Sequence, residues 1–118
     1  MKDKTILALT FIRNIVAELP GTEEKICFDT PAFYTNKNIF ARLKEDEGDL
    51  VIYTEERDKW MEQYPDIFTI TPHYIKYKYM LINLDRVDPQ DLKILLIIAW
   101  KQRTSKTLLK KYLLTNED

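Results

Sequence analysis

Hydrophobic and polar positions follow two different periods along this chain, and the points where the period changes divide it into elements. Over residues 3–19, Ala8, Phe11, Ile12, Ile15 and Leu19 recur at helical spacing while Thr10, Arg13 and Asn14 fall on other faces, which predicts an amphipathic N-terminal helix. Pro20-Gly21 ends it, because proline cannot donate to a continuing helix and glycine tolerates a left-handed cap. Residues 25–28, 32–35, 39–44 and 50–54 are rich in β-branched and aromatic types and alternate in places, as in Phe40-Ala41-Arg42-Leu43-Lys44. Four short antiparallel strands are predicted there. They are joined by the turn-like sequences Asp29-Thr30-Pro31, Asn36-Lys37-Asn38 and Glu45-Asp46-Glu47-Gly48-Asp49.

Further along, Thr54 is the predicted N-cap of a middle helix over 55–63, with Glu55, Glu56 and Asp58 near the positive end of its dipole, Trp60 and Met61 docking it, and Tyr64-Pro65 ending it. Two extended pieces, 67–71 and 74–84, flank Pro72-His73; the second alternates Tyr77, Tyr79 and Leu81 with Lys76, Lys78, Met80 and Ile82. Asp88-Pro89-Gln90-Asp91 opens a helix with an aspartate cap and a proline at the first helical position. Residues 92–100, apolar nearly all round, predict a core helix. Thr104-Ser105 caps a last helix with Leu108, Leu109, Tyr112 and Leu113 on its apolar side, ahead of a frayed tail at 115–118. The pattern predicts one α+β domain over residues 1–118, an antiparallel sheet packed with an N-terminal helix, a middle helix and C-terminal helices.

With 118 residues, 45% hydrophobic and 31% charged, the chain buries a core without cross-links. Cys27 is the only cysteine, so no intramolecular disulfide forms and a reducing, cytoplasmic setting is expected. Flanked by Ile26 and Phe28, Cys27 reads as a small buried hydrophobe. A net charge of −1 excludes wholesale basicity, so any nucleic-acid surface is local. The longest uncharged apolar run, 94–100, falls short of the roughly 18 residues of a membrane span, and no membrane partner is expected. Charge is nonetheless uneven: residues 44–58 hold seven acids against two bases, and 101–111 hold five bases and no acid, read as a solvated helix face.

Catalytic chemistry is poorly supplied. There is one serine, one histidine and one cysteine, no Gly-x-Ser-x-Gly elbow, and Ser105 reads as a helix cap. Two glycines exclude the Walker and dinucleotide loops, and one cysteine with one histidine cannot supply a zinc site. The acidic run 45–49 lacks the spacing of a calcium loop and reads as a hairpin tip. No catalytic residue, metal or cofactor is therefore expected, and the chain reads as non-enzymatic. What remains is His73-Tyr74-Ile75-Lys76-Tyr77-Lys78-Tyr79, where aromatic rings suited to base stacking alternate with lysines suited to phosphate. The same alternation also describes a sheet strand with tyrosines inward and lysines outward.

Three blocks in order carry a resemblance: Leu19-Pro20-Gly21-Thr22-Glu23-Glu24-Lys25, then Asn38-Ile39-Phe40-Ala41-Arg42-Leu43, then Thr71-Pro72-His73 through Tyr79 to Leu84-Asp85. Together they resemble the MmcQ/YjbR family across about residues 5 to 113. The resemblance implies a CyaY-like fold and DNA binding by β-hairpin wings. Of the family's His-x-Asn-Lys-x-His-Trp segment, His73 and Lys76 match, while Ile75, Lys78 and Tyr79 stand where the asparagine, second histidine and tryptophan belong. The resulting expectation is an uncharacterised small binding module, a monomer or homodimer, touching DNA through Lys37, Arg42, His73, Lys76, Lys78 and Tyr79. The alternative is a protein- or small-ligand-interaction domain, since CyaY-like folds resemble frataxin and its acidic iron-binding surface; an enzyme of unknown chemistry is the least favoured reading.

Overall fold

The computed structural model describes residues 3–46 and 48–115, so residues 116–118 of the predicted 115–118 tail and Glu47 of the acidic run lie outside the described residues, while Thr115 is helical. In chain order the elements are α1 (Asp3–Val16), β1 (Thr22–Cys27), β2 (Thr30–Thr35), β3 (Asn38–Leu43), β4 (Asp49–Tyr53), α2 (Arg57–Gln63), β5 (Phe68–Thr69), a 3₁₀ turn (Pro72–Tyr74), β6 (Tyr79–Asn83), α3 (Pro89–Arg103) and α4 (Lys106–Thr115). The strands form one antiparallel sheet in the order β1-β2-β3-β4-β6-β5. This is the predicted α+β class.

The first two hairpins close on two-residue turns in which both residues have positive φ: Phe28 and Asp29 at 53° and 66°, then Asn36 and Lys37 at 51° and 64°. That geometry matches the twist of the flanking strands. The first turn lies one residue earlier than the composition suggests, leaving Thr30 and Pro31 inside β2. Between β2 and β3 the register shifts, so that Phe33 faces Ala41 while Tyr34 faces Ile39. The extra residue, Phe40, lets both Phe40 and Ala41 enter the core.

One sheet face carries Phe33, Ala41, Leu43, Leu50, Ile52, Met80 and Ile82 against Leu9, Ile12, Ile15 and Val16 of α1 and Leu92, Leu95, Leu96, Ala99 and Trp100 of α3. In α1 the buried stripe runs through Leu9 and Val16 rather than Ala8 and Phe11, and the helix stops at Val16, before Leu19. α3 is one-sided rather than apolar all round: Ile94 remains 38% exposed. Its start is as predicted, with Asp88 accepting from the Gln90 amide at 2.8 Å. Trp100 is fully buried and its indole N–H donates to the Pro20 carbonyl at 3.1 Å. α4 buries no residue completely; Leu108 rests where a side chain on Gly21 would stand, 2.4 Å from that Cβ position, and Gly21 has φ +67°. The positive φ favours glycine there, and a side chain would have to displace the Leu108 methyl.

The opposite face carries the cross-strand row Ala32, Arg42, Val51 and Leu81, all buried although no helix packs there. From the segment 72–78, Tyr74 reaches Arg42 on this face. The sequence pattern makes residues 74–84 one extended piece, yet only Tyr79–Asn83 is strand: Pro72 starts a 3₁₀ turn and 75–78 continues as turn. α2 starts at Arg57 rather than Glu55, with Glu56 at its cap position and Thr54 instead accepting from the Glu56 amide at 3.1 Å. Cys27 sits half-buried on the outermost strand between exposed neighbours, not in the core. An outer strand has no further strand to bury its thiol.

At the β3–β4 tip, Asp46 accepts from the amides of Gly48 and Asp49 at 3.0 and 3.1 Å. Burial, with the neighbouring Asp46 carboxyl adding to it, pushes Asp49 up to about 6. The folded state thus holds the Asp49 proton more firmly than the unfolded chain, whose aspartates titrate at about 3.9. Its contribution to stability is present below the unfolded value and is lost as pH rises through about 6. Asp49→Asn is expected to raise the thermal midpoint at pH 8 and to leave it unchanged near pH 4, checked by melting curves across that range.

Candidate functional site

Arg42 is the pivot of the helix-free sheet face. Its place in β3, between Ala32 and Val51, puts a guanidinium where the row's other members are apolar. One nitrogen, Nη1, donates to Glu45 Oε1 at 2.7 Å, and Nη2 donates to the Tyr74 hydroxyl at 3.1 Å. Burial works against the charge, but Glu45 and Tyr74 outweigh it and hold Arg42 protonated more firmly than a free guanidinium. The Phe28 ring centroid lies 5.3 Å from the guanidinium carbon.

Phe28 itself is 73% exposed and occupies a left-handed turn position that side chains other than glycine, asparagine and aspartate rarely adopt. Facing it across Arg42 is the 3₁₀ turn, where His73 stands exposed with its ring 4.8 Å from Tyr74 and 6.2 Å from Tyr77. Together with Lys44, Glu45 and Thr71 these residues line a groove of about 360 Å³. Its rim is aromatic; Glu45 is the one carboxylate in the lining and pairs with Arg42, and Lys44 Nζ lies 3.6 Å from Asp46 beside it.

The groove's far wall is held from α2. Arg57 donates through Nη1 to the carbonyls of Tyr74 at 2.7 Å, Tyr77, and Tyr79 at 3.1 Å, and through Nη2 to that of Ile75 at 2.7 Å. One fork thus reaches three carbonyls of the turn segment and that of Tyr79 at the start of β6, tying 72–78 back toward α2.

Of the six residues expected from sequence, the structure brings Arg42 and His73 into this groove. Lys76 and Lys78 line a separate depression of about 290 Å³ with Glu55, Glu56 and Asp58, and Lys78 Nζ lies 3.5 Å from Glu55. Tyr79 is half-buried in β6; its hydroxyl donates to the Ile39 carbonyl at 3.2 Å, its ring stands edge-on to Tyr53, and burial raises its pKa. Lys37 is exposed in the β2–β3 turn, at the other end of those strands from Phe28. Sequence reading missed Phe28, Lys44, Thr71 and Arg57. An aromatic residue beside Asp29 between two strand patterns was the one available signal for Phe28; backbone acceptors leave none for Arg57.

Among the described residues, no three His, Cys, Asp or Glu side chains converge to hold a metal ion, and no helix is long and apolar enough to cross a membrane. No curated protein matches the chain. A solved structure, that of Deinococcus radiodurans protein DR2400, a DUF419 domain, is similar with a TM-score of 0.70 and 23% identity, covering 91% of this chain and 86% of that one. It shares the fold. The YjbR family model matches residues 17–102, a span that takes in the whole sheet, the groove and α3 as far as its last turn, and on that match the chain belongs to the YjbR family.

Proposed function

We propose that this protein is a non-enzymatic binding module that takes single-stranded nucleic acid at the Phe28–Arg42–His73 groove. The observation that carries the reading is Phe28. A ring held outward on a left-handed turn costs roughly 1 kcal/mol and, at 73% exposure, recovers little through burial. Strain of that kind collects at binding sites. An exposed ring stacks a base, and Lys44, exchanging Asp46 at 3.6 Å for the adjoining phosphate, meets it with His73 at the groove edge, above the Arg42–Glu45 pair. The family resemblance adds the nucleic-acid class. A duplex is disfavoured because its phosphates need a continuous basic track, whereas Lys37, Lys44 and the Lys76–Lys78 pair stand apart from one another, with Lys44 and Lys78 each beside an acid.

Anisotropy titrations with labelled single-stranded and duplex oligonucleotides at two salt concentrations test this. Single strands are expected to bind more tightly. Phe28→Ala should weaken them by about 1–3 kcal/mol, the worth of one stacked base, and Lys44→Ala should flatten the salt slope by about 0.7. Phe28→Gly should lose binding while gaining roughly 1 kcal/mol of stability from the relaxed turn. Absence of binding at about 50 μM, within the range of ordinary non-specific binders, refutes the reading. The groove's volume of about 360 Å³ also fits a small ligand. A mononucleotide that binds as tightly as an oligonucleotide selects that second reading.

A further inference from the structure

β1 is an outermost strand of the sheet with neither face covered: Glu23, Glu24, Lys25 and Ile26 are all exposed, Ile26 at 70%. The two-residue turn makes Cys27 and Thr30 the hydrogen-bonded pair that closes the hairpin, and the pairs Lys25–Ala32 and Glu23–Tyr34 follow in alternation. The N–H and C=O groups of Glu24 and Ile26 therefore point away from β2, toward open solvent. At the other edge β5 has only two residues, so β1 is the edge long enough to receive a strand.

Charged side chains, lysine above all, usually blunt an edge strand by repelling a second one. β1 instead carries opposite charges two residues apart on one face, Glu23 and Lys25, with Nζ and Oε2 3.5 Å apart. We propose that β1 pairs antiparallel with β1 of a second copy of this chain about a two-fold axis at Glu24, joining two sheets into one. In that register Glu24 meets Glu24, exchanging the outward backbone bonds, Ile26 lies opposite Thr22, and each Lys25 lies opposite Glu23 of the second copy. Both symmetric cross-strand pairs are attractive. The like charges at the axis are already compensated, because Arg13 of α1 grips Glu24 through Nε at 2.8 Å and Nη2 at 2.7 Å. A shift of the axis to Lys25 would place two lysines face to face with no acid between them, so the charge pattern selects one register.

Sedimentation equilibrium of the full chain at low salt tests the pairing. A monomer–dimer equilibrium is expected. Glu23→Lys and Lys25→Glu each convert two attractions into repulsions and should weaken the dimer about tenfold or more, whereas the double exchange Glu23→Lys with Lys25→Glu should restore it. Circular dichroism confirms that the variants fold. A chain that stays monomeric up to about 1 mM, a dissociation constant worth only about 4 kcal/mol, overturns the proposal. So does a dimer indifferent to the single exchanges, or a double exchange that fails to restore it, since another surface then makes the contact.

Discussion

Trp100→Ala is expected to remove about 3–5 kcal/mol of stability, the cost of emptying a large buried aromatic site. The indole is fully buried between α3 and the sheet, and its N–H reaches across 80 residues of sequence to the Pro20 carbonyl. Its ring also lies 5.0 Å from that of Tyr112. A single side chain thus ties the end of α1, the core helix and α4 together, and neighbours drawn from three elements cannot collapse together to fill the void. Trp100→Phe keeps most of the volume and abandons the hydrogen bond, so its cost should be nearer 1–2 kcal/mol. Urea titrations of the two variants check the ordering; a loss below about 1 kcal/mol for Trp100→Ala would mean that the core reforms without it.

Arg57→Ala has the second large effect, and it falls on the groove rather than the core. Removing the fork takes a charged donor from four carbonyls, one of which, that of Tyr74, keeps the Tyr77 amide at 3.0 Å, an expected loss of about 2–4 kcal/mol at charge-assisted strengths. Arg57→Lys should recover little, because an ammonium cannot reach four acceptors spread around a planar guanidinium. The distinctive readout is local. Amide exchange in 74–79 should speed up by far more than in β3 or α3, and Tyr74, freed from its backbone anchor, should no longer hold Arg42. Uniform loss of protection across the chain would show that Arg57 merely contributes to global stability.

These two residues also mark how much the sequence discloses. Elements with a local signature are legible: the Asp88-Pro89 start of α3, the break at Pro20-Gly21 and the hairpin at Asn36-Lys37 all follow from cap and turn chemistry acting on adjacent residues. The Tyr/Lys alternation at 76–79 misleads because a period of two is only a pattern until something pairs with the strand. Here a distant arginine claims the carbonyls first, and the tyrosines are distributed among turn, groove and sheet. Of the expected contact residues, the two that meet, Arg42 and His73, come from segments 31 residues apart in sequence, and the fold alone brings them together. Phe28 was hidden for the opposite reason, since turn preferences favour asparagine and glycine where it stands. A residue that violates a local rule is legible only once the backbone angle is known.

The contact between Gly21 and Leu108 bears on how the molecule breathes. α4 hides nothing completely and leans on the rest through Leu108, Leu109 and Tyr112, with the glycine as a flat seat rather than a socket. Its detachment would uncover Trp100 on one side while leaving the sheet and α1 closed, a local opening expected to show as faster amide exchange in α4 than in α3. The family match ends before α4 begins, and the groove lies on the opposite side of the sheet from α3. The last helix is therefore a part whose motion costs the groove nothing.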